Sequence, residues 1–361
     1  VMPAYKDKKT GKWYASFYYA NWKGVREKKM KRGFETKKAA LDWEREFLMQ
    51  SSADLDMRFE SFVEIYVSDL KQRIRENTFL TKENIIYNKV LPFFKDKKMN
   101  AITAKDVIKW QNELLAHRDE NGKTYSKTYL KTMHNQLSAI FNHAIRYYDL
   151  KSNPAAKAGY IGEKEAGEME FWTKEEYQKF ADVIMDKPMS FYAFEILYWC
   201  GIRVGELLAL TPDDFDFKNR LLRINKSYQR IKGRDVITEP KTKKSIRTIK
   251  MPKFLCEEIE EYIKMLYVIK PNDRMFTVTK SFLHSEMRRG SKAAGVKRIK
   301  IHGLRHSHIS HLIDLGFSAV AIADRVGHES IDITYRYAHL FPSKQVDMAN
   351  KLDDERNGSN G

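Results

Sequence analysis

The hydrophobic period changes along the chain, and this constrains the fold more than any other feature. From Trp13 to Trp22 the residues are almost all strand-forming aromatics, with Trp13, Ala15, Phe17 and Tyr19 on one face and Tyr14, Ser16, Tyr18 and Ala20 on the other. Asn21 to Gly24 supplies turn chemistry, so residues 3–34 predict a small antiparallel sheet. Thr36 is placed to cap a following helix whose stripe of Ala40, Trp43 and Phe47 can cover one sheet face. Beyond residue 54 the period is helical. Two periods in 361 residues, room for two or three domains, predict several domains.

Residues 54–150 read as all-helical. Phe59, Phe62, Val63, Tyr66 and Leu70 mark one helix, and Ile85, Ile86 and Val90 mark a second, expected to stop near Pro92. Thr103 with Asp106 forms a capping-box pattern ahead of Val107, Trp110 and Leu114, and Ser126 caps a long helix running through Leu130, Leu137 and Ile145. Residues 151–170, with Asn153-Pro154 and three glycines, read as a linker without a helical stripe. Thr173 and Glu176 then open a further helix. In the mixed region that follows, strand-like stretches at Leu221–Gln229 and Ser245–Met251 flank a polar turn.

Charge narrows the partner. Lys and Arg number 65 against 48 Asp and Glu, a net +17, and residues 1–50 alone carry 13 against 6. Such an excess points to a polyanion, most simply nucleic acid. Lys28, Lys29, Lys31 and Arg32 lie on the aromatic sheet and are candidate DNA contacts, since a two- or three-stranded sheet fits the major groove. Two cysteines, Cys200 and Cys256, exclude a disulfide framework and a Cys-based zinc site, and fit a reducing cytosol. No run of 18 apolar residues is present, so a membrane partner is not expected, and the polar, Lys-rich first twelve residues do not read as an export leader.

Four short segments carry the chemistry. In Cys200-Gly201-Ile202-Arg203-Val204-Gly205-Glu206, a glycine turn precedes an arginine with an acid three residues on, between apolar runs. A charge in that setting needs a partner or a task. Glu239 to Arg247 is a basic stretch holding Lys241, Lys243 and Lys244. His302 and Arg305 are spaced to share a helix face. Gly327-His328 is followed nine residues later by Tyr337, within Thr334-Tyr335-Arg336-Tyr337-Ala338-His339. Asp213, Asp214 and Asp216 read as a turn rather than a metal site, and His306, His308 and His311 as packing or orienting residues on one helix.

Taken together and in this order, these segments resemble the tyrosine recombinases, the phage-integrase family. The resemblance covers the whole chain and is most specific over residues 200–340. It implies catalytic roles for Arg203, Lys241, His302, Arg305, His328 and Tyr337. Glu206, three residues after Arg203, is expected to orient it from behind. Lys243 and Lys244 rival Lys241, and Tyr335 rivals Tyr337. The small aromatic sheet ahead of a helical domain resembles integrases of temperate phages and of conjugative transposons of Gram-positive bacteria.

The implied fold is multi-domain and mainly α with small β elements. An N-terminal three-stranded sheet plus helix (1–50, arm-type DNA binding) precedes an all-helical core-binding domain (51–157) and a linker (158–170). A mixed, mostly helical α/β catalytic domain (171–342) and a C-terminal tail (343–361) complete it; the resemblance implies a tail that docks on a neighbouring subunit, with packing on its own domain as the alternative. The implied function is site-specific integration and excisionase-dependent excision of a mobile element. It proceeds through a 3′-phosphotyrosyl link and a Holliday junction, by a homotetramer on double-stranded DNA with core and arm-type sites, with no cofactor or metal. An excisionase, a DNA-bending protein and a nucleoid-associated, cytoplasmic setting in a bacterial host follow from the same resemblance. A type IB topoisomerase and a non-catalytic, sequence-specific DNA-binding regulator are the competing functions.

Overall fold

Alternation sets the first element. β1 (Ala4–Lys6), β2 (Trp13–Ala20) and β3 (Arg26–Phe34) form an antiparallel sheet in that order, with Tyr14 opposite Arg32 and Tyr18 opposite Lys28. Helix α1 (Lys37–Ala53) begins where the Thr36 hydroxyl accepts the Ala39 amide at 3.1 Å. Ala40, Trp43 and Phe47 pack on Ala15 and Phe17, so one sheet face is a small core and the other is open. In this computed structural model residues 4–8, 10–20, 26–53, 55–163, 169–240, 242–335, 337 and 355 are described. The Asn21–Gly24 turn and, residue 355 apart, the tail 343–361 lie outside them.

The same period of two divides the basic strand. Lys28 and Arg32 share the open face with Tyr14 and Tyr18. Lys29 and Lys31 alternate to the helix side, where their ammonium groups sit over the Phe47 ring at 5.4 Å and the Trp43 ring at 5.2 Å. The four expected contacts are therefore not one surface.

The helical part comprises α2 (Phe59–Lys71), α3 (Glu76–Ile85), α4 (Leu91–Phe94), α5 (Ala104–Ala116), α6 (Lys127–Tyr148) and α7 (Pro154–Ala158). Phe59, Phe62, Val63, Trp110, Leu137 and Phe141 are among its core residues. The Thr103–Asp106 capping box and the Ser126 cap form. One expectation needs refining and another correcting. The second helix does end close to Pro92, at Phe94, but it is not one continuous α-helix, because a π-helical turn at Ile86–Val90 widens the backbone ahead of the proline and the short α4 follows. The Lys89 carbonyl, within that turn, accepts the Trp110 indole N–H at 2.8 Å. Nor is 151–170 without helix, since the Asn153 side chain caps the Ala155 and Ala156 amides and Pro154 starts α7.

The chain divides into two units, Val1–Gly167 and Glu168–Gly361. The second opens with α8 (Lys174–Ile184), on its Thr173–Glu176 capping box, then α9 (Pro188–Cys200) and α10 (Val204–Leu207). Strands β4 (Phe215–Asp216), β5 (Leu221–Ile224), β6 (Ser227–Ile231), β7 (Arg234–Thr238) and β8 (Arg247–Lys250) follow. The expected stretch Leu221–Gln229 is two strands, β5 and the start of β6, the stretch Ser245–Met251 holds β8, and β4 and β7 are additional. β5 pairs with β8, while β6 folds back on β7 through Lys232-Gly233, whose φ values of 48° and 79° suit a two-residue hairpin turn. The basic stretch after Thr238 therefore returns β7 to β8 rather than tipping a hairpin.

Helices α11 (Lys253–Met265), α12 (Lys280–Ala293), α13 (Ile301–Asp314), α14 (Ala319–Val326) and α15 (Asp332–Tyr335) complete the unit. Trp172, Phe180, Phe194, Leu222, Ile249 and Leu304 belong to one continuous core. α13 lies deep in the unit, with Leu304, Arg305, His308 and Ile309 all buried. Among the described residues no helix is long and apolar enough to cross a membrane.

Candidate active site

Helix α9 ends at Gly201, whose φ of +63° and close approach to the His308 ring leave no room for a side chain. The turn delivers Arg203 to the first position before α10. Glu206, almost fully buried, accepts the Arg203 backbone N–H at 2.9 Å and its Nη1 at 2.8 Å. A second guanidinium completes the pocket, because Arg247 at the start of β8 donates from Nη2 to Glu206 Oε2 at 3.0 Å. Burial alone would raise the Glu206 pKa, but Arg247 and Arg203 together hold it below the usual carboxylate value. Glu206 is thus an anion shared by two arginines.

Arg305 draws the separate segments together. From the buried face of α13 its Nη1 donates to the Gly201 carbonyl at 2.8 Å, and its Nη2 to the Val326 carbonyl at 2.6 Å. One fork therefore grips the chain just before Arg203 and just before Gly327-His328. Burial, then Arg203 and Arg247, lower its pKa to about 9. It stays protonated at neutral pH, in a recess with more cations than anions, a balance that favours an anion.

His302 stands one turn earlier on α13 and is exposed. Its pKa is pushed down by desolvation and then by Arg305 and Arg203. His328 is buried, its Nδ1 2.8 Å from the Thr334 hydroxyl, and burial followed by Arg305 and Arg203 lowers its pKa to about 3. It is a neutral ring with one nitrogen fixed by Thr334. Tyr337 is buried against Ile309, Ile313, Ile322 and Val326, and its hydroxyl is hydrogen-bonded to Nδ1 of His306. Tyr335, by contrast, is 53% exposed.

The structure thus brings Arg203, Glu206, His302, Arg305, His328 and Tyr337 into one region. Lys241 lies outside the described residues. Of its rivals, Lys244 donates to the Glu329 carbonyl at 2.9 Å, next to His328. A cleft of about 430 Å³ beside them is lined by Lys244, Arg247, Gly327 and His328 together with Val320 and Ile331.

Three participants were not singled out as site residues from the sequence. Arg247 had a signal, being an arginine at the end of the basic stretch. Arg325 ties α14 to three other elements by donating to His308 Nε2 at 3.1 Å, the Trp199 carbonyl at 3.2 Å and the Lys250 carbonyl at 3.0 Å. His306 had been grouped with His308 and His311 as a packing or orienting residue, yet it alone of the three bonds to the Tyr337 hydroxyl. His308 is buried under Gly201. Asp214 caps the Thr211 turn and pairs with Lys226 at 2.8 Å. Among the described residues no group of three His, Cys, Asp or Glu is placed to hold a metal ion. Burial pushes the Cys200 thiol up to about 12, which keeps it an unreactive thiol.

Comparison with known proteins follows the same division of the chain. Residues 170–344 match the Phage integrase family, residues 58–115 the Phage integrase, N-terminal SAM-like domain, and residues 3–51 the Arm DNA-binding domain. The ICEBs1 integrase of Bacillus subtilis is 28% identical over 341 residues, covering 88% of this chain and 90% of that protein. The integrase of Staphylococcus phage L54a is 23% identical over 342 residues, covering 85% and 91%. Among solved structures, the Tn1549 transposon integrase in complex with a circular intermediate DNA superposes with a TM-score of 0.64 at 20% identity, over 81% of this chain and 98% of that one. A lambda integrase tetramer bound to a Holliday junction gives 0.59 at 17% identity, over 95% and 93%.

Proposed function

The chain belongs to the phage integrase family, the tyrosine recombinases, and is a site-specific DNA recombinase; we propose that Tyr337 is its nucleophile and that Arg203 and Arg305 grip the phosphate it attacks. The observation that carries this reading is the buried Arg305 fork, which holds the carbonyls of Gly201 and Val326 and so gathers the Arg203 and His328 segments around one anion-seeking recess, with Tyr337 packed in the cluster of Ile309 and Val326 beside it. Forked donors match the nonbridging oxygens, whose charge must be stabilised in the transition state. His328 adds one hydrogen bond. Tyr337 Oη bonds to phosphorus as the bond to the 5′-oxygen breaks, and Lys241 supplies the proton that the leaving oxygen takes up. A histidine of α13 relieves the phenol of its proton, since a phenol pKa near 10 leaves too little phenolate at pH 7. The family motif gives this task to His302. The phosphodiester energy is held in the 3′-phosphotyrosyl bond until a 5′-hydroxyl from another strand reverses the step.

The open sheet face reads arm-type sites with Tyr14, Tyr18, Lys28 and Arg32, while the helical and catalytic units clamp the core site. Four copies exchange strands through a Holliday junction, in bacterial cytoplasm, at the ends of an integrating element. Residues 343–361 dock on the neighbouring copy, and an excisionase and a bending protein set direction. The test is a nicked duplex built from the junction sequence of the element that carries the gene. Cleavage releases the short flank, so a covalent complex accumulates, and peptide mapping places the link. A chain that binds this DNA and never becomes covalently attached is not a recombinase of this type.

A further inference from the structure

The motif histidine is not the one that touches the nucleophile. His306 Nδ1 is hydrogen-bonded to the Tyr337 hydroxyl, with the two rings 5.7 Å apart at 48°. His302 stands edge-on to His306, with ring centroids 4.9 Å apart at 82°. The order across the site is therefore Tyr337, His306, His302. We propose that His306, rather than His302, receives the Tyr337 proton during cleavage and returns it during rejoining, a step that rests on Tyr337 being the nucleophile.

The bookkeeping of atoms is simple. In the neutral ring with its hydrogen on Nε2, Nδ1 is an acceptor facing the phenol. As Oη bonds to phosphorus, its hydrogen moves to Nδ1 and the bond to the 5′-oxygen breaks, that oxygen taking a proton from Lys241. On rejoining, the imidazolium gives the hydrogen back to Oη as the tyrosine leaves. Burial first, then His302 and Arg305, push the His306 pKa down to about 4, so the ring is in its accepting form across physiological pH. His328 also lies within its electrostatic reach. A phosphodiester bound against Arg305 cancels one of the charges that depress His306, so the base strengthens when substrate arrives. His302, exposed on the same helix, is left to face the phosphate oxygens.

The test measures single-turnover covalent attachment of the full chain to the nicked junction duplex, for wild type, His306→Ala, His306→Asn and Tyr337→Phe. Asparagine places a hydrogen-bonding group near Nδ1 but cannot carry a proton. Both His306 variants should bind the duplex within about twofold of wild type and cleave about 100-fold more slowly, the lower range for loss of a general base. Added imidazole should restore His306→Ala by tenfold or more, in proportion to its unprotonated fraction. Cleavage by His306→Asn within threefold of wild type overturns the proposal, because a hydrogen bond alone would then suffice. Slow cleavage by His306→Ala that imidazole does not lift overturns it as well. If alanine unfolds the domain, the asparagine variant decides alone. Covalent attachment by Tyr337→Phe would instead refute the choice of nucleophile, a result distinct from any of these.

Discussion

Replacing Glu206 with glutamine tests the electrostatics of the recess most sharply. Glu206 accepts from Arg203 Nη1 at 2.8 Å, the Arg203 backbone N–H at 2.9 Å and Arg247 Nη2 at 3.0 Å. Its side chain is 3% exposed and that of Arg247 7%. Glutamine keeps the shape, removes the charge, and turns an N–H toward one of the guanidinium donors. Breaking a buried pair by losing one member costs about 3–5 kcal/mol, because the other charge stays buried. For a unit of this size each kcal/mol is worth roughly 2–4 °C, so the melting transition of the catalytic unit should fall by roughly 6–20 °C. Bound DNA should narrow that gap, because the scissile phosphate takes over part of the neutralisation. Cleavage should fall about 10²–10³-fold with the loss of an aligned phosphate donor. Calorimetry with and without the junction duplex, alongside single-turnover cleavage, measures both. A variant that melts within 2 °C of wild type and cleaves within threefold of it would refute the reasoning.

Three further outcomes follow from the geometry. Lys28→Ala and Arg32→Ala should each reduce the slope of log affinity against log salt for an arm-site duplex by about 1, and Lys29→Ala and Lys31→Ala by less, as fluorescence anisotropy would show; equal effects would contradict the division of β3 into two faces. His306 and His328 have folded pKa values lowered to about 4 and about 3, so the unfolded chain binds more protons below its ordinary histidine value. The stability they contribute is present above pH 6.5 and is lost as pH falls toward 4, at up to about 1.4 kcal/mol per pH unit for each, so urea midpoints should drop between pH 7.5 and pH 5. Gly201→Ala puts a Cβ 2.4 Å from His308 Cδ2 at a φ of +63°, and should destabilise the unit by roughly 1–3 kcal/mol while displacing the carbonyl that Arg305 holds. An alanine variant with wild-type melting and cleavage would count against that tether.

How much of this was legible in the sequence depends on whether a residue's neighbours are near in sequence. Strand alternation over Trp13–Ala20 and the boxes at Thr103 and Thr173 are local, and they read directly. The π-turn before Pro92 and the β6–β7 hairpin were missed. The first lies ahead of a proline and its Lys89 carbonyl is met by a distant donor, the Trp110 indole N–H, and the second is marked only by Lys232-Gly233, without the usual Asn or Asp. Helix α13 is buried on nearly every side, so no apolar stripe distinguished the working histidine from the packed ones. Arg203, Glu206, His302 and Arg305 were legible because turn and helix spacing hold each pair together. Arg247 and Arg325 were not, because their partners lie 41 and 17 or more residues away.

The central claim is that the Tyr337 hydroxyl attacks the phosphate held by Arg203 and Arg305. Peptide mapping of the covalent complex formed with the nicked junction duplex tests it most directly, in wild type and in Tyr337→Phe and Tyr335→Phe. The nucleotide should be carried on Tyr337, be absent from Tyr337→Phe and persist in Tyr335→Phe. Linkage to Tyr335, or a covalent complex that survives Tyr337→Phe, would contradict the account.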